Sequence, residues 1–85
     1  MTDEKPVAIG QHIVVLDRGF VYVGDVIEYT DRIEIQNAKN IRRWGTEKGL
    51  GQLVDGPRPN TKLDPCGTVK AYRSAVMHML PCRGF

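Results

Sequence analysis

Over the first half of the chain, apolar and polar positions follow the short period of β-structure. His12-Ile13-Val14-Val15-Leu16 is a compact apolar run, and Phe20 to Tyr29 is rich in aromatic and β-branched residues. Asp17-Arg18-Gly19 lies between them as a turn in which glycine supplies positive φ, so the two runs predict a hairpin. Gly24 interrupts the second run with nothing to pack, which predicts a bulge or sharp bend of the kind that curls a short sheet toward a barrel. Thr30-Asp31-Arg32 makes a second turn. Ile33-Glu34-Ile35-Gln36 then alternates with period two, breaks at Asn37-Ala38 and resumes at Ile41. Three consecutive strands are expected, in a meander.

After Trp44 the pattern changes. Leu50, Leu53 and Val54 stand at i, i+3 and i+4 and predict a short helix, with Thr46 as its N-cap and Gly56 at its stop. Gly49 and Gly51 weaken that helix by roughly 1 kcal/mol each relative to alanine. Pro57-Arg58-Pro59-Asn60 ends it and begins a loop, expected to run irregularly through Asp64-Pro65-Cys66-Gly67. Thr68 to Leu80 carries both a near-helical spacing capped by Thr68 and, in Val76-Met77-His78-Met79-Leu80, a buried-strand run. A strand over 75–80 is preferred, because a three-stranded meander leaves an edge that needs a partner. The expected fold is mainly β with one short helix: a small β-barrel or curled antiparallel sheet, built as a meander plus a C-terminal strand.

At 85 residues the chain is one small domain, 1–85, with residues 1–10 expected as a flexible N-terminal arm. A domain of this size buries only about 60% of its unfolded surface, so its core is thin and association into a homo-oligomer is a natural source of further stability. The start of the chain has neither the basic nor the apolar stretch of a signal peptide, and the longest apolar runs fall far short of the roughly 20 residues of a membrane span. The expected location is the cytosol, with no membrane partner. In that compartment Cys66 and Cys82 are more often reduced than paired, and they are too few for a four-cysteine zinc site.

The net charge of +2 hides an asymmetry. Residues 1–36 hold three basic and seven acidic side chains, and residues 37–85 hold nine basic and three acidic ones. Positive charge is densest from Lys39 to Lys62, which makes that segment a candidate anion site. The chain has no Walker loop, no Gly-x-Ser-x-Gly and no His-Glu-x-x-His, and His12 and His78 sit in apolar strand-like runs, so no catalytic residue, metal site or cofactor is assigned. The most informative stretch is Asn37 to Thr46. Arg42 and Arg43 can bind a phosphate bidentately, Lys48 adds charge, and Thr46 with the expected helix start adds hydroxyl and backbone donors. Trp44 is either a face on which a base stacks or the largest anchor of the core. Thr61, Lys62, Tyr72 and Arg73, with Asp64, form a second polar set that lines the other wall of a pocket if the loop folds back.

The pattern Asn37, Ala38, Ile41, Trp44 and Gly45, followed by Leu50-Gly51-Gln52-Leu53, Gly56, Cys66 and a closing Pro81-Cys82, resembles a family of small proteins of tailed bacteriophages and prophages. The double Arg42-Arg43 and the three glycines around the helix depart from that family's pattern. The meander is also topologically similar to small barrels of the Sm-like or SH3-like kind, which implies ring-forming association or nucleic-acid binding. The phage resemblance, joined to an anion-plus-aromatic cluster, implies a binding protein that counters host immunity. It would act in the host cytoplasm as a homo-oligomer that sequesters a nucleotide-type signal and is not an enzyme. The alternative is a small-barrel module that binds nucleic acid or a host protein without catalysis. Nucleic acid is the less favoured partner, since a net +2 and six aromatics give few phosphate contacts or stacking faces.

Overall fold

In the computed structural model, which describes residues 5–46 and 49–85, five strands form one antiparallel sheet. The strands are β1 (Val7–Leu16), β2 (Val21–Glu28), β3 (Arg32–Arg43), β4 (Lys62–Tyr72) and β5 (Val76–Pro81), in the spatial order β4-β3-β2-β1-β5. The expected hairpin, the third strand and the C-terminal strand are all present, and the mainly β architecture holds. The sheet is curled but not closed, with β4 and β5 as its two edges.

Three expectations are corrected. Residues 7–10, expected in a flexible arm, open β1 and pair with β2 from Val7 opposite Glu28. Asp64 to Gly67, expected to be irregular, lies inside β4. Proline is tolerated there because β4 is an edge strand, and Gly67, at φ +74°, takes the bulge opposite Ala38. The short helix is a 3-10 helix, Leu50–Asp55, whose N-cap is Gly49 with no side-chain cap, so Thr46 does not cap it. Gly56 does end it, donating its N–H to Leu53 O over 3.0 Å.

The curl is centred where β2 and β3 approach most closely, at Gly24. Opposite β2, the partner on β3 jumps from Lys39 at Val23 to Gln36 at Asp25, leaving Gly24 against a bulge at Asn37, which has φ +51°. A Cβ at residue 24 would stand 2.7 Å from both Gln36 O and Ile35 Cγ2. Only glycine fits. The extra residue also inverts the side-chain alternation of β3, so that Ile33, Ile35 and Ala38 face one side and Ile41 faces the other.

Both faces of the sheet are therefore buried. On one, Ile13, Val21, Val23 and Ile41 pack under Leu50 and Leu53 of the 3-10 helix, with Leu63, Leu80 and Phe85 at the margin. On the other, Val14, Val26, Ile33, Ile35 and Ala38 are joined by Val69 and Ala71 of β4 and Val76 and Met79 of β5. That second cluster draws on every strand and on no helix, so the sheet covers this face by curling over it. Arg73–Ala75, a single 3-10 turn, links β4 to β5, and Arg73 N–H donates to Asp31 O over 3.1 Å.

The tight approach gives a direct test of this account. Gly24→Ala should lower unfolding free energy by about 1–3 kcal/mol through overpacking. Gly51→Ala, whose added Cβ meets no atom within 4 Å, should be neutral or slightly stabilising. Urea denaturation of the two variants beside the parent checks both.

Candidate functional site

The basic end of β3 supplies the site. Arg42 and Arg43 are both exposed but differ in their surroundings. Arg42 Nε donates to Asp64 Oδ2 over 3.1 Å, so its charge is already matched across the β3–β4 ladder. Arg43 lies directly opposite Lys62, and neither has a carboxylate partner among the described residues. Like charges facing each other across a ladder destabilise it, and a bound anion would remove the penalty.

Trp44 follows at once, 42% exposed and in neither apolar cluster, which excludes the core-anchor reading. Its backbone is fixed by a hydroxyl. Thr61 Oγ1 donates to Trp44 O over 2.7 Å and accepts from Arg58 N–H over 2.8 Å. Gly45, at φ +66°, lets the chain pass so close that a Cβ there would collide with the Asn60 carbonyl. The Arg58–Thr61 turn is thereby pinned beside Trp44, closed by Thr61 N–H on Arg58 O at 3.0 Å. Between the turn and the 3-10 helix lies a polar cleft of about 320 Å³, lined by Gly45, Gln52, Arg58, Pro59 and Asn60. A more open hollow of about 260 Å³ at Val54, Asp55, Pro81, Cys82 and Arg83 offers less to an anion, because Arg83 Nε is already bound to Asp55 Oδ1 at 2.9 Å.

The residues named from sequence divide into three groups. Arg43 and Lys62 face each other at the end of the β3–β4 ladder and Trp44 follows in the chain, with Thr61 holding the adjoining turn and Thr46 half-buried just beyond Gly45. Tyr72 and Arg73 do not join them. Tyr72 pairs with Arg32 at the opposite end of β3, on the order of 30 Å away along the strand. Arg73 is engaged there, donating to Tyr29 O over 2.8 Å and to Glu28 Oε2 over 2.7 Å. Lys48 lies outside the described residues. Arg58, Asn60 and Gln52 were not singled out as site residues from sequence. The signal for the first two was the Pro57-Arg58-Pro59-Asn60 run, whose prolines stiffen a turn that presents Arg58 between them and Asn60 just after.

Cys82 packs at the edge of the first core, where burial and then the nearby Asp25 carboxylate push its thiol up to about 11. Cys66 is exposed on β4, its Sγ donating to Ala38 O over 3.4 Å, and both thiols are free. His12 Nδ1 lies 3.1 Å from Gly10 O.

Comparison with known proteins finds no matching family model, no matching curated protein and no matching solved structure.

Two measurements probe this region. Thr61→Val removes two hydrogen bonds and should cost about 1–3 kcal/mol, with a red shift of Trp44 fluorescence as the turn detaches. The unfolded chain ionises Cys82 at the ordinary thiol value while the folded chain resists until about 11. Its contribution is thus intact below pH 9 and falls as pH rises from 9 to 11. Alkylation at pH 8 should modify Cys66 well before Cys82, and Cys82→Ala should flatten the alkaline loss of stability.

Proposed function

We propose that this chain binds a phosphorylated nucleotide at the end of the β3–β4 ladder and holds it without transforming it. The observation that carries the reading is the facing pair Arg43 and Lys62, without a carboxylate partner among the described residues and followed in the chain by the exposed Trp44. A phosphate between the two cations would relieve their repulsion, and the indole beside them would stack a base. The cleft that Arg58 lines is large enough for part of such a ligand. Arg42, neutralised by Asp64, serves to position the strand end.

The contrast in burial between Trp44 and its apolar neighbours adds a second support. Ala38, Ile41, Leu50 and Leu53 are buried, so packing accounts for them, whereas Trp44 is exposed and packing does not account for it. An exposed tryptophan that packing does not explain suits a ligand contact. On this reading the protein is a phage-encoded sponge for a nucleotide immune signal, acting as a homo-oligomer in the host cytoplasm. Among the described residues no helix is long and apolar enough to cross a membrane.

The rival reading is a small-barrel module for nucleic acid or a host protein. The strand order β4-β3-β2-β1-β5 in a curled, unclosed sheet, with a 3-10 turn between β4 and β5, is compatible with that reading. The concentration of unmatched charge at one ladder end, instead of along a groove, weighs against a nucleic-acid track.

A thermal-shift screen against cyclic di- and trinucleotides, cyclic ADP-ribose isomers and a short single-stranded RNA separates these readings. A ligand present at 100 times its Kd adds about 2.7 kcal/mol, enough to raise the midpoint of so small a domain by well over 5 °C. Arg43→Ala and Lys62→Ala should each weaken the active nucleotide by about tenfold or more. Asp64→Asn, by freeing Arg42, should strengthen it. No shift with any nucleotide, or a shift untouched by these variants, would defeat the proposal, and steep salt-dependent RNA binding would favour its rival.

A further inference from the structure

The cleft beside the ladder end has a basic side chain of its own. Arg58 lines it together with Gly45, Gln52, Pro59 and Asn60. Among the described residues neither the Arg58 guanidinium nor the Asn60 amide has a hydrogen-bond or ion-pair partner. Arg43 and Lys62 do not line this cleft, so its cation is separate from the facing pair.

The two positions are nonetheless neighbours, and what joins them is held in place. Thr61 Oγ1 lies 2.7 Å from Trp44 O and 2.8 Å from the Arg58 backbone nitrogen. Arg43 immediately precedes Trp44, and Lys62 immediately follows Thr61. The Arg58–Thr61 turn is closed by Thr61 N–H on Arg58 O. Such a turn brings its end Cα atoms to within about 7 Å, so Lys62, one Cα step of about 3.8 Å further on, stands within about 11 Å of Arg58. Long arginine and lysine side chains can bring their charges to one ligand across that span.

We infer that the ligand of this site carries two phosphoryl groups, one between Arg43 and Lys62 and a second in the cleft against Arg58 and Asn60. The inference rests on the nucleotide reading above and adds to it what the charges require. A phosphomonoester carries about −1.5 to −2 charges near neutral pH, which Arg43 and Lys62 together match. Arg58 is then left over. In a polar cleft its guanidinium can take two oxygens of a second phosphate bidentately, while the Asn60 amide donates beside it. Arg42 does not compete for that group, because Asp64 already holds it. A ligand with a single phosphate at the ladder end would leave the cation of the cleft unmatched.

AMP, ADP and cyclic di-AMP, with their guanine counterparts, are the probes, titrated calorimetrically into the full chain at matched ionic strength. AMP offers one phosphate, ADP two adjacent ones and cyclic di-AMP two set apart by ribose, so the tighter of the last two also tells how the positions are spaced. One of them should bind about tenfold or more tighter than AMP. Arg58→Ala should remove that advantage, and Asn60→Asp, which sets a carboxylate in the cleft, should reduce it. Arg43→Ala should weaken AMP and the two-phosphate ligand alike. Residues 58 and 60 are both exposed, and circular dichroism of each variant checks that the fold is kept. Two-phosphate ligands that bind no tighter than AMP, or an advantage indifferent to both cleft variants, would overturn this inference and leave the nucleotide reading standing. Binding by none of the probes would bring down both.

Discussion

The close approach of β2 and β3 at Gly24 is the constraint on which the rest of this small protein depends. With Gln36 O and the Ile35 methyl each 2.7 Å from where a Cβ would stand, the two backbones can approach only because residue 24 has none. The bulge at Asn37 that accompanies the approach changes which side of β3 is apolar, so one strand serves two cores in succession. A flat five-stranded sheet of this length would leave one face wet. Bending it helps the face of Val14, Val26 and Ile33 bury itself without a helix, while the other face takes Leu50 and Leu53 from a single 3-10 helix as its lid.

The same economy shapes the basic end of β3. Of the cations there, Arg42 is spent on Asp64, and Arg43 and Lys62 are left facing each other. The neighbouring turn is held by one hydroxyl, that of Thr61, which bonds Trp44 O and Arg58 N–H together. Trp44 is thus fixed through its backbone while its ring stays accessible. Among the described residues Arg43 and Lys62 have no carboxylate partner, so the proposed ligand would meet a held backbone and an exposed Trp44 and would have little ordering to impose.

Much of the fold was legible in the sequence, because β1, β2 and β3 declare themselves through β-branched alternation and Gly19 and Gly24 mark the turn and the bend. β4 was hidden. Pro65 and Gly67 read as loop residues, and their compatibility with a strand depends on that strand lying at an edge, a fact of the assembled sheet. The helix start was misjudged because Gly49, at φ +91°, supplied the cap that Thr46 was expected to give. Of the site, the Arg43, Trp44 and Lys62 grouping was legible as a density of charge beside the one tryptophan. The separation of Tyr72 and Arg73 from it was not, since it follows from the β3–β4 register, in which Tyr72 meets Arg32 and Lys62 meets Arg43.

The pairing of β5 with β1 also sets the tempo of assembly. Ile13 meets Leu80 and His12 meets Pro81, partners separated by most of the chain, whereas β1 to β4 join only neighbours in sequence. Closing so large a loop costs entropy before its contacts repay it, so the local meander forms first and the outer strand docks last. Until then the apolar edge of β1, from Ile13 to Leu16, stands open in a nascent chain. The interval before β5 arrives is thus the time in which this protein is most exposed to the wrong partner.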